Sequence, residues 1–411
     1  MGLIAGRAGY PVQTRSSMLR RMIVHGRSGS GEKWGENGSF PMPWGRPITH
    51  PSPNAHFYMP STADIRIRSV RPLISPAILE DELPLGDAGA AAIHQARRDV
   101  AKVIMGQDDR LLVLVGPCSV HDPASAMDYA RKLAPVAEAM AQDLLVVMRV
   151  YFEKPRTVVG WKGLINDPGL DGSFQINRGL RLARKLLLDI TAVGLPIATE
   201  FLDTTLGQYY ADLISWGAIG ARTTESQIHR ELASGLSMPV GFKNRTDGDL
   251  QVAVDAILSA QHPHSFPSLT HEGAPAVLTT SGNEHGHLVL RGGSRSGPNF
   301  DAAHIAEAIA LLQNAGAPQA ILVDCSHANS SKRYDRQPEV ARDVAGQVAA
   351  GQRAVIGVML ESHLVAGTQP VVAGQALTYG QSITDGCLAF DDTLPVLEAL
   401  AQAVRSRRQN K

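Results

Sequence analysis

The sequence predicts an α/β fold, a (β/α)8 barrel preceded by an N-terminal arm and helix. Two observations carry this prediction. From residue 111 onward, short apolar runs alternate with longer amphipathic segments, which is the pattern of a parallel sheet with crossover helices. These apolar runs number eight, and helical patterns fill the gaps between them, which is the strand count of a closed barrel. An open, doubly wound sheet is the competing interpretation.

The chain divides by composition into three parts. Residues 1–58 are rich in Gly, Pro and Ser and show no periodicity, so we expect a disordered extension, or a translated leader from an upstream start codon. Residues 59–106 read as an arm with several prolines followed by a helix, which we expect to pack on the barrel or on a partner. Residues 107–411 are the predicted catalytic barrel.

The barrel elements follow in order. The first two strands, LLVLVG and LLVVMR, are continuous apolar runs, as strands covered on both faces need. The predicted strands are 111–116, 144–149, 197–201, 218–222, 240–243, 287–291, 320–324 and 354–360. The predicted helices are 127–141, 176–190, 226–235, 249–260, 301–316, 339–351 and 393–408. The stretch 261–280 lacks a helical pattern, so a small β-hairpin is predicted before the sixth strand.

Composition excludes several classes of protein. Lys+Arg and Asp+Glu are equal at 39 each, so the chain lacks the basic field that a nucleic-acid partner requires. No apolar run reaches the length of about 18 residues that a membrane span needs. Three scattered cysteines are too few for a secreted disulfide framework and indicate a reducing cytoplasm.

Almost every predicted strand delivers an ionisable residue at its carboxyl end. A single strand-terminal Arg or Lys usually just reaches solvent, but repetition in phase around a barrel predicts a ligand site, because active sites lie at this end. These residues are Cys118, Arg149, Glu200, Arg222, Lys243, Arg291, Asp324 with His327 shortly after, and Glu361.

Four of these residues are cations, and they suit a substrate that carries phosphate and carboxylate groups. Arginine can bind such anions through two parallel hydrogen bonds. The four are Arg149, Arg222, Lys243 and Arg291.

A second subset predicts a metal site. It combines sulfur, nitrogen and oxygen donors that are far apart in sequence: Cys118, His327, Glu361 and Asp385. Asp385 comes from the loop after strand eight. Closure of a barrel makes strands one and eight neighbours, and only then can the four meet around one ion. The set suits one divalent ion of Mn, Fe, Co or Zn. The structural alternatives are a small buried hydrophobe at Cys118 and a satisfied core histidine at His327.

Long strings of the sequence, spanning residues 60 to 408, resemble the class I, microbial type of 3-deoxy-D-arabino-heptulosonate 7-phosphate (DAHP) synthase. The strings are GPCSVHDP (116–123), MRVYFEKPRTVVGWKGLINDPGLDGSF (148–174), GARTTESQIHRELASG (220–235), GFKN (241–244), LRGG (290–293), DCSHANSSK (324–332), ESHLVAGTQ (361–369) and YGQSITD (379–385). The resemblance implies a metal-dependent condensation of phosphoenolpyruvate with erythrose 4-phosphate, the first step of the shikimate pathway. It also implies a homodimer or homotetramer and feedback inhibition by an aromatic amino acid, with the arm and helix over 59–106 providing oligomer and effector contacts.

The resemblance carries roles onto individual residues. Cys118, His327, Glu361 and Asp385 become the metal ligands, and Arg149, Arg222, Lys243 and Arg291 the phosphoenolpyruvate contacts. Arg156 and Thr157 are assigned to the binding of erythrose 4-phosphate, and Lys154 is placed between the two substrates. We expect Lys154, with Cys118 and His327, in catalysis, and expect neighbouring cations to lower the pKa of Lys154.

Two other functions compete. One is a sister synthase that joins phosphoenolpyruvate to another phosphosugar, such as arabinose 5-phosphate. The string KPRT (154–157) argues against it. The other is a non-catalytic regulatory paralogue that keeps the barrel to bind an effector. Retention of the whole ligand set and of all four cations argues against that.

Overall fold

The computed structural model describes residues 62–410. The predicted disordered extension over 1–58 therefore lies outside the described residues. The chain divides into two compact units, Met1–Ser69 and Val70–Lys411. Within the described part of the first, the amide of Ile67 donates to the carbonyl of Asp64 at 2.9 Å. The rest of the description concerns the second unit.

Eight parallel strands close into a (β/α)8, or TIM, barrel, which confirms the predicted fold. The order is sequential, and the last barrel strand pairs with the first in parallel. Its strands are β1 (Leu111–Gly116), β2 (Leu144–Arg149), β3 (Ile197–Glu200), β4 (Trp216–Ile219), β5 (Val240–Lys243), β8 (Gly286–Leu290), β9 (Ile321–Asp324) and β10 (Val355–His363). Closure places Gly116 of β1 beside Glu361 of β10, which brings the ends of the first and last strands together.

Helices cover the outside of the barrel. They are α3 (Pro123–Ala139), α4 (Ile176–Ala192), α5 (Gln227–Gly235), α6 (Gln251–Ala260), α7 (Ala302–Asn314), α8 (Gln337–Ala349) and α9 (Phe390–Gln409). Between β3 and β4 the helix is replaced by two short 3₁₀ turns, Leu206–Tyr209 and Ala211–Leu213. The sequence shows no amphipathic run there, which agrees with the absence of a predicted helix.

The core has two layers, as a filled barrel requires. Alternate residues of each strand point into the barrel, where Leu112, Leu114 and Val147 pack with Met359 and other buried side chains. The intervening residues pack outward against the helices. Trp216 is wholly buried inside the barrel and donates from Nε1 to Nε2 of His287 at 3.0 Å. β4 begins two residues and ends three residues before the predicted strand, so Arg222 lies beyond the strand rather than at its end.

Two helices precede the barrel, α1 (Pro76–Glu82) and α2 (Asp87–Ile104). The hydroxyl of Ser75 caps α1, and Pro76 occupies the first turn, where a missing amide is tolerated. Asn177 of α4 holds the arm through the amide of Ile74 at 3.0 Å and the carbonyl of Pro72 at 3.0 Å.

An antiparallel hairpin precedes β8, where the sequence predicts one. Its strands are β6 (Ser265–Leu269) and β7 (Pro275–Thr279). After β10 the chain forms three short strands, β11 (Val365–Thr368), β12 (Gln381–Ser382) and β13 (Leu388–Ala389). No helix in residues 62–410 is both long and apolar enough to cross a membrane.

Candidate active site

The carboxyl ends of β1 and β10 bring together three of the predicted metal ligands. The donor atoms of Cys118, Glu361 and Asp385 lie within 4.8 Å of one another. Cys118 and Glu361 are buried, while Asp385, which is itself exposed, reaches the site from the loop after β12. Gly116 lets the β1 and β2 ends approach, because a Cβ there would lie 2.6 Å from the carbonyl oxygen of Arg149. The predicted juxtaposition across the barrel closure is therefore present.

Glu361 is held from several sides. Its Oε1 lies 3.3 Å from Nη2 of Arg149, and its Oε2 accepts from the hydroxyl of Ser326 at 2.8 Å. The side-chain amide of Gln337 binds both the amide and the carbonyl of Glu361. Ser326 lies inside the DCSHANSSK string, whereas Gln337 opens α8 with no signal in the sequence. Sequence reasoning missed both residues.

His327 lies beside this group rather than within it. Its Nδ1 is 2.9 Å from Oδ2 of Asp324, but it is buried without a well-aligned hydrogen bond. The backbone of His327 has φ of 55°, an unusual value for a residue with a side chain. His327 and Asp385 line the same cavity of about 600 Å³.

The three grouped residues fit a divalent metal ion. A thiol and two carboxylates are the mixed sulfur and oxygen donors that borderline transition metals accept. The imidazole of His327, whose Nδ1 faces Asp324, offers a nitrogen donor at the edge of the same cavity. Burial is the main cause that raises the pKa of the Cys118 thiol to about 12, and a bound cation favours the thiolate instead.

Lys154 contacts the ligand group directly. Its ammonium donates to Sγ of Cys118 at 2.9 Å and lies 3.7 Å from Oδ2 of Asp385. Burial acts to lower the pKa of Lys154, but the facing groups of Cys118, Glu361 and Asp385 outweigh it and raise the pKa. The expectation of a lowered pKa is therefore wrong, because anionic groups rather than cations face this ammonium.

The four predicted phosphoenolpyruvate contacts surround the mouth at different depths. Arg149 is wholly buried, with its guanidinium 4.0 Å from the centre of the Tyr151 ring and Nε unpartnered. Lys243 is also buried and pairs with Asp324 at 2.9 Å. Arg291 and Arg222 line the cavity nearer its opening, and Nη1 of Arg222 donates to the carbonyl of Pro155 at 3.4 Å.

Arg156 and Thr157 lie on the exposed loop that follows Lys154. Nε of Arg156 donates to the carbonyl of Trp161 at 2.8 Å, so the loop curls on itself at this point. Both residues are accessible to a ligand from solvent.

A (β/α)8 barrel with a thiol, carboxylates and cations gathered at the carboxyl ends of its strands has the architecture of an enzyme whose active site lies at that end. Comparison with known proteins then gives the family. The model of the DAHP synthetase I family matches residues 88–398, and the chain belongs to this family.

Individual relatives agree with that assignment. The chain is 55% identical over 345 residues to the Phe-sensitive phospho-2-dehydro-3-deoxyheptonate aldolase of Escherichia coli K12, covering 84% of this chain and 98% of that relative. It is 49% identical over 352 residues to the tyrosine-inhibited enzyme of Schizosaccharomyces pombe, covering 85% and 94%. The solved structure of the Francisella tularensis SCHU S4 aldolase superposes with a TM-score of 0.81 at 52% identity, covering 83% of this chain and 99% of that chain.

Proposed function

We propose that the barrel mouth binds phosphoenolpyruvate and erythrose 4-phosphate side by side, with the residue roles given below. The chain is a DAHP synthase: it condenses these two substrates with water to give DAHP and phosphate, the first step of the shikimate pathway. The observation that supports the residue roles is the meeting of buried cations with a sulfur and carboxylate donor set in one mouth.

Phosphoenolpyruvate is assigned to the four cations. Arg149 and Lys243 lie deep, where a buried ammonium or guanidinium interacts strongly with an anion because water is excluded. Arg222 and Arg291 lie nearer the opening, where each guanidinium can bind a phosphate through two parallel hydrogen bonds. The cations also stabilise the negative charge that builds up as phosphate leaves.

Erythrose 4-phosphate is assigned to Arg156 and Thr157, whose exposed side chains can take a phosphate at the rim. Lys154 then lies between the two substrates. Its ammonium can donate a hydrogen bond to the aldehyde oxygen and stabilise the negative charge that develops there as the carbon bond forms.

Cys118, Glu361, Asp385 and His327 would hold one divalent metal ion. Such an ion supplies Lewis-acid polarisation of the aldehyde carbonyl. Arg149 orients Glu361 through its ion pair, and Ser326 fixes the second carboxylate oxygen. The contact of Asp324 with Nδ1 of His327 would orient the imidazole, so that its other ring nitrogen, Nε2, would be the ligand atom.

The deciding experiment measures phosphate release from the two substrates. Treatment with EDTA should remove the activity, and manganese should restore it. A parallel reaction with arabinose 5-phosphate tests the choice of aldehyde. Phosphate release that persists unchanged in EDTA would overturn the metal assignment, and release only with arabinose 5-phosphate would overturn the assigned substrate.

Feedback inhibition by an aromatic amino acid is proposed at a second cavity, of about 820 Å³. The matching relatives include Phe-sensitive and tyrosine-inhibited enzymes. Glu80 and Leu85 from the N-terminal arm line the cavity together with Phe266 of the hairpin and Leu232 of α5. Apolar walls suit an aromatic ring, and Arg97 and Asp212 are charged groups of the kind that an amino acid requires.

Titration of the enzyme with Phe, Tyr and Trp separately tests this regulation. We expect one of them to inhibit. Leu232→Trp, which fills the apolar wall, should abolish that inhibition with basal turnover retained, whereas loss of basal turnover alone would argue against a separate effector site.

Self-association is proposed for the arm and hairpin surface. This surface exposes four large apolar side chains, those of Val70, Leu73, Ile78 and Val277. The arm is joined to the hairpin because the amide of Ala77 donates to the carbonyl oxygen of His271 at 2.8 Å. Light scattering should give a dimer or tetramer.

A reducing compartment is proposed because all three cysteines are free thiols.

A further inference from the structure

Three buried asparagines lie together at the carboxyl ends of three neighbouring barrel strands. This asparagine network consists of Asn244 after β5, Asn299 after β8 and Asn329 after β9, and none of the three is more than 3% exposed. A side-chain amide that is removed from water needs partners for both its donors and its acceptor, so these residues must be bound by their surroundings. Because they are buried, any effect on a substrate must act through the residues that they hold.

Asn244 joins the end of β5 to the end of β8. Its backbone amide continues the bonding between the two strands by donating to the carbonyl of Val289 at 3.1 Å. Beyond that bond the side chain supplies the contacts, since Oδ1 accepts from the amide of Arg291 at 2.8 Å and Nδ2 donates to the carbonyl of Gly292 at 3.1 Å. Asn244 directly follows Lys243 in the chain. One side chain therefore fixes the spacing between Lys243 and Arg291.

Asn299 and Asn329 extend the network to the end of β9. The amide of Gly292 donates to Oδ1 of Asn299 at 2.7 Å, and the amide of Asn299 donates to Oδ1 of Asn329 at 2.8 Å. Nδ2 of Asn329 in turn donates to the carbonyl of Asp324 at 2.9 Å. A Cβ at Gly292 would lie 2.8 Å from the amide nitrogen of Asn329, so glycine is needed for this close packing. The network thus spans the carboxyl ends of three strands.

The two cations at these strand ends are held in different ways. The ammonium of Lys243 pairs with Asp324 at 2.9 Å. The guanidinium of Arg291, which lines the 600 Å³ cavity, donates from Nη1 to the carbonyl of Gly292 at 3.3 Å. That carbonyl is the one that also accepts from Asn244. The direction of the Arg291 guanidinium is therefore set by backbone that the asparagine network holds.

We propose that Asn244 is a positioning residue for phosphoenolpyruvate, because it fixes Arg291 at the distance from Lys243 at which one substrate anion contacts both cations. The inference rests on the proposed function, in which these two cations bind phosphoenolpyruvate. Two charged donors strengthen each other's contact with one anion only when their spacing is correct, so a small displacement of Arg291 weakens binding. Erythrose 4-phosphate is assigned to the rim and should bind as before.

The test is Asn244→Ala in the full-length, manganese-loaded enzyme. The dissociation constant of phosphoenolpyruvate, measured by calorimetry, and its KM should both rise about tenfold. The kcat should stay within about threefold of wild type and KM for erythrose 4-phosphate within about twofold, since the change weakens binding rather than chemistry.

Asn283→Ala is the matched control at the opposite ends of the same two strands. Asn283 is also buried, and its Nδ2 donates to three backbone carbonyls, those of Ala233, Leu236 and Met238. Both variants should unfold at a lower temperature, because each loses several buried hydrogen bonds. Only Asn244→Ala should bind phosphoenolpyruvate more weakly. An equal rise in KM for both variants would show an effect of stability alone and would overturn the inference.

Double variants test whether Asn244 acts through Arg291. In an Arg291→Ala background, Asn244→Ala should change the dissociation constant of phosphoenolpyruvate less than about twofold, because the guanidinium that it positions is already gone. In an Arg222→Ala background the tenfold effect should persist, since Arg222 has no contact with the network. The full effect in both backgrounds would indicate a general loosening of the barrel mouth and would contradict the positioning role.

Single variants separate this inference from the proposed function. Weakened binding in Arg291→Ala and Lys243→Ala with unchanged binding in Asn244→Ala would overturn the positioning role alone. Unchanged binding in all three would overturn the assignment of phosphoenolpyruvate as well. If Asn244→Ala fails to fold, Asn299→Ala removes the acceptor of the Gly292 amide instead. That variant should bind phosphoenolpyruvate about threefold more weakly, and wild-type affinity would contradict the inference.

Discussion

The two ends of the barrel carry charges in different ways. At the N-terminal end, Arg405 and Arg408 of α9 bind Asp143 at 2.8 and 2.7 Å, and Arg408 also binds Asp109 at 2.6 Å. These are ordinary hydrogen-bonded pairs near solvent. At the C-terminal end, Arg149 and Glu361 are fully buried and meet at only 3.3 Å. Buried charges are costly unless a ligand or partner offsets them, so the buried charges at the C-terminal end imply a ligand, whereas the pairs near solvent at the N-terminal end imply stability alone.

The largest expected effect is at the metal ligands. Cys118→Ala removes the sulfur donor and should lower kcat at least about 10³-fold, because the Lewis acid is then poorly held. Cys325→Ala is the matched control, since Cys325 is an equally buried cysteine that packs in the core outside the ligand group. Metal content by mass spectrometry should fall only in the first variant. Normal rates in Cys118→Ala would contradict the metal assignment.

Arg149→Ala tests the buried cation. KM for phosphoenolpyruvate should rise about 100-fold, because the substrate anion loses a desolvated charged partner. The same change leaves Glu361 without its cation, so thermal unfolding should occur at a lower temperature. Arg405→Ala at the opposite end is the control, and its KM should remain that of wild type. Equal KM values in the two variants would remove the distinction between the barrel ends.

Glu153→Gln should change the pH dependence of stability. Burial raises the pKa of Glu153 in the folded protein to about 7, above the ordinary value of 4.5, so the folded wild type binds more protons than the unfolded chain between these pH values. Wild-type stability from this group is therefore lost as pH rises from about 4.5 to 7. Glutamine does not titrate, so the stability of the variant relative to wild type should rise by about 2 kcal/mol across that window.

Urea unfolding of both proteins at pH 5 and pH 8 measures that difference. The unfolding contributions of all other groups are common to the two proteins and cancel. A difference between variant and wild type that does not change with pH would mean that Glu153 is ionised and well solvated in the folded state.

The sequence predicted the barrel because its strands are buried on both faces and read as unbroken apolar runs. It also predicted that Cys118, Glu361 and Asp385 meet, since closure of the barrel is a property of topology alone. The orientation of His327 and the raised pKa of Lys154 could not be predicted from the sequence. Both depend on which side chains face one another across strands, and no periodicity in the chain records those contacts.

The smallest expected effect belongs to the N-terminal end. Arg408→Ala removes two ion pairs whose guanidinium is 31% exposed, so solvent screening limits the loss of unfolding free energy to about 1 kcal/mol. Arg333→Ala is the control, because its pair with Asp335 is more exposed and should contribute almost nothing. Turnover and both KM values should be unchanged in Arg408→Ala, since nothing at this end reaches a substrate. A changed KM would show that charge at the two ends is coupled through the barrel, and that the N-terminal network does more than stabilise the fold.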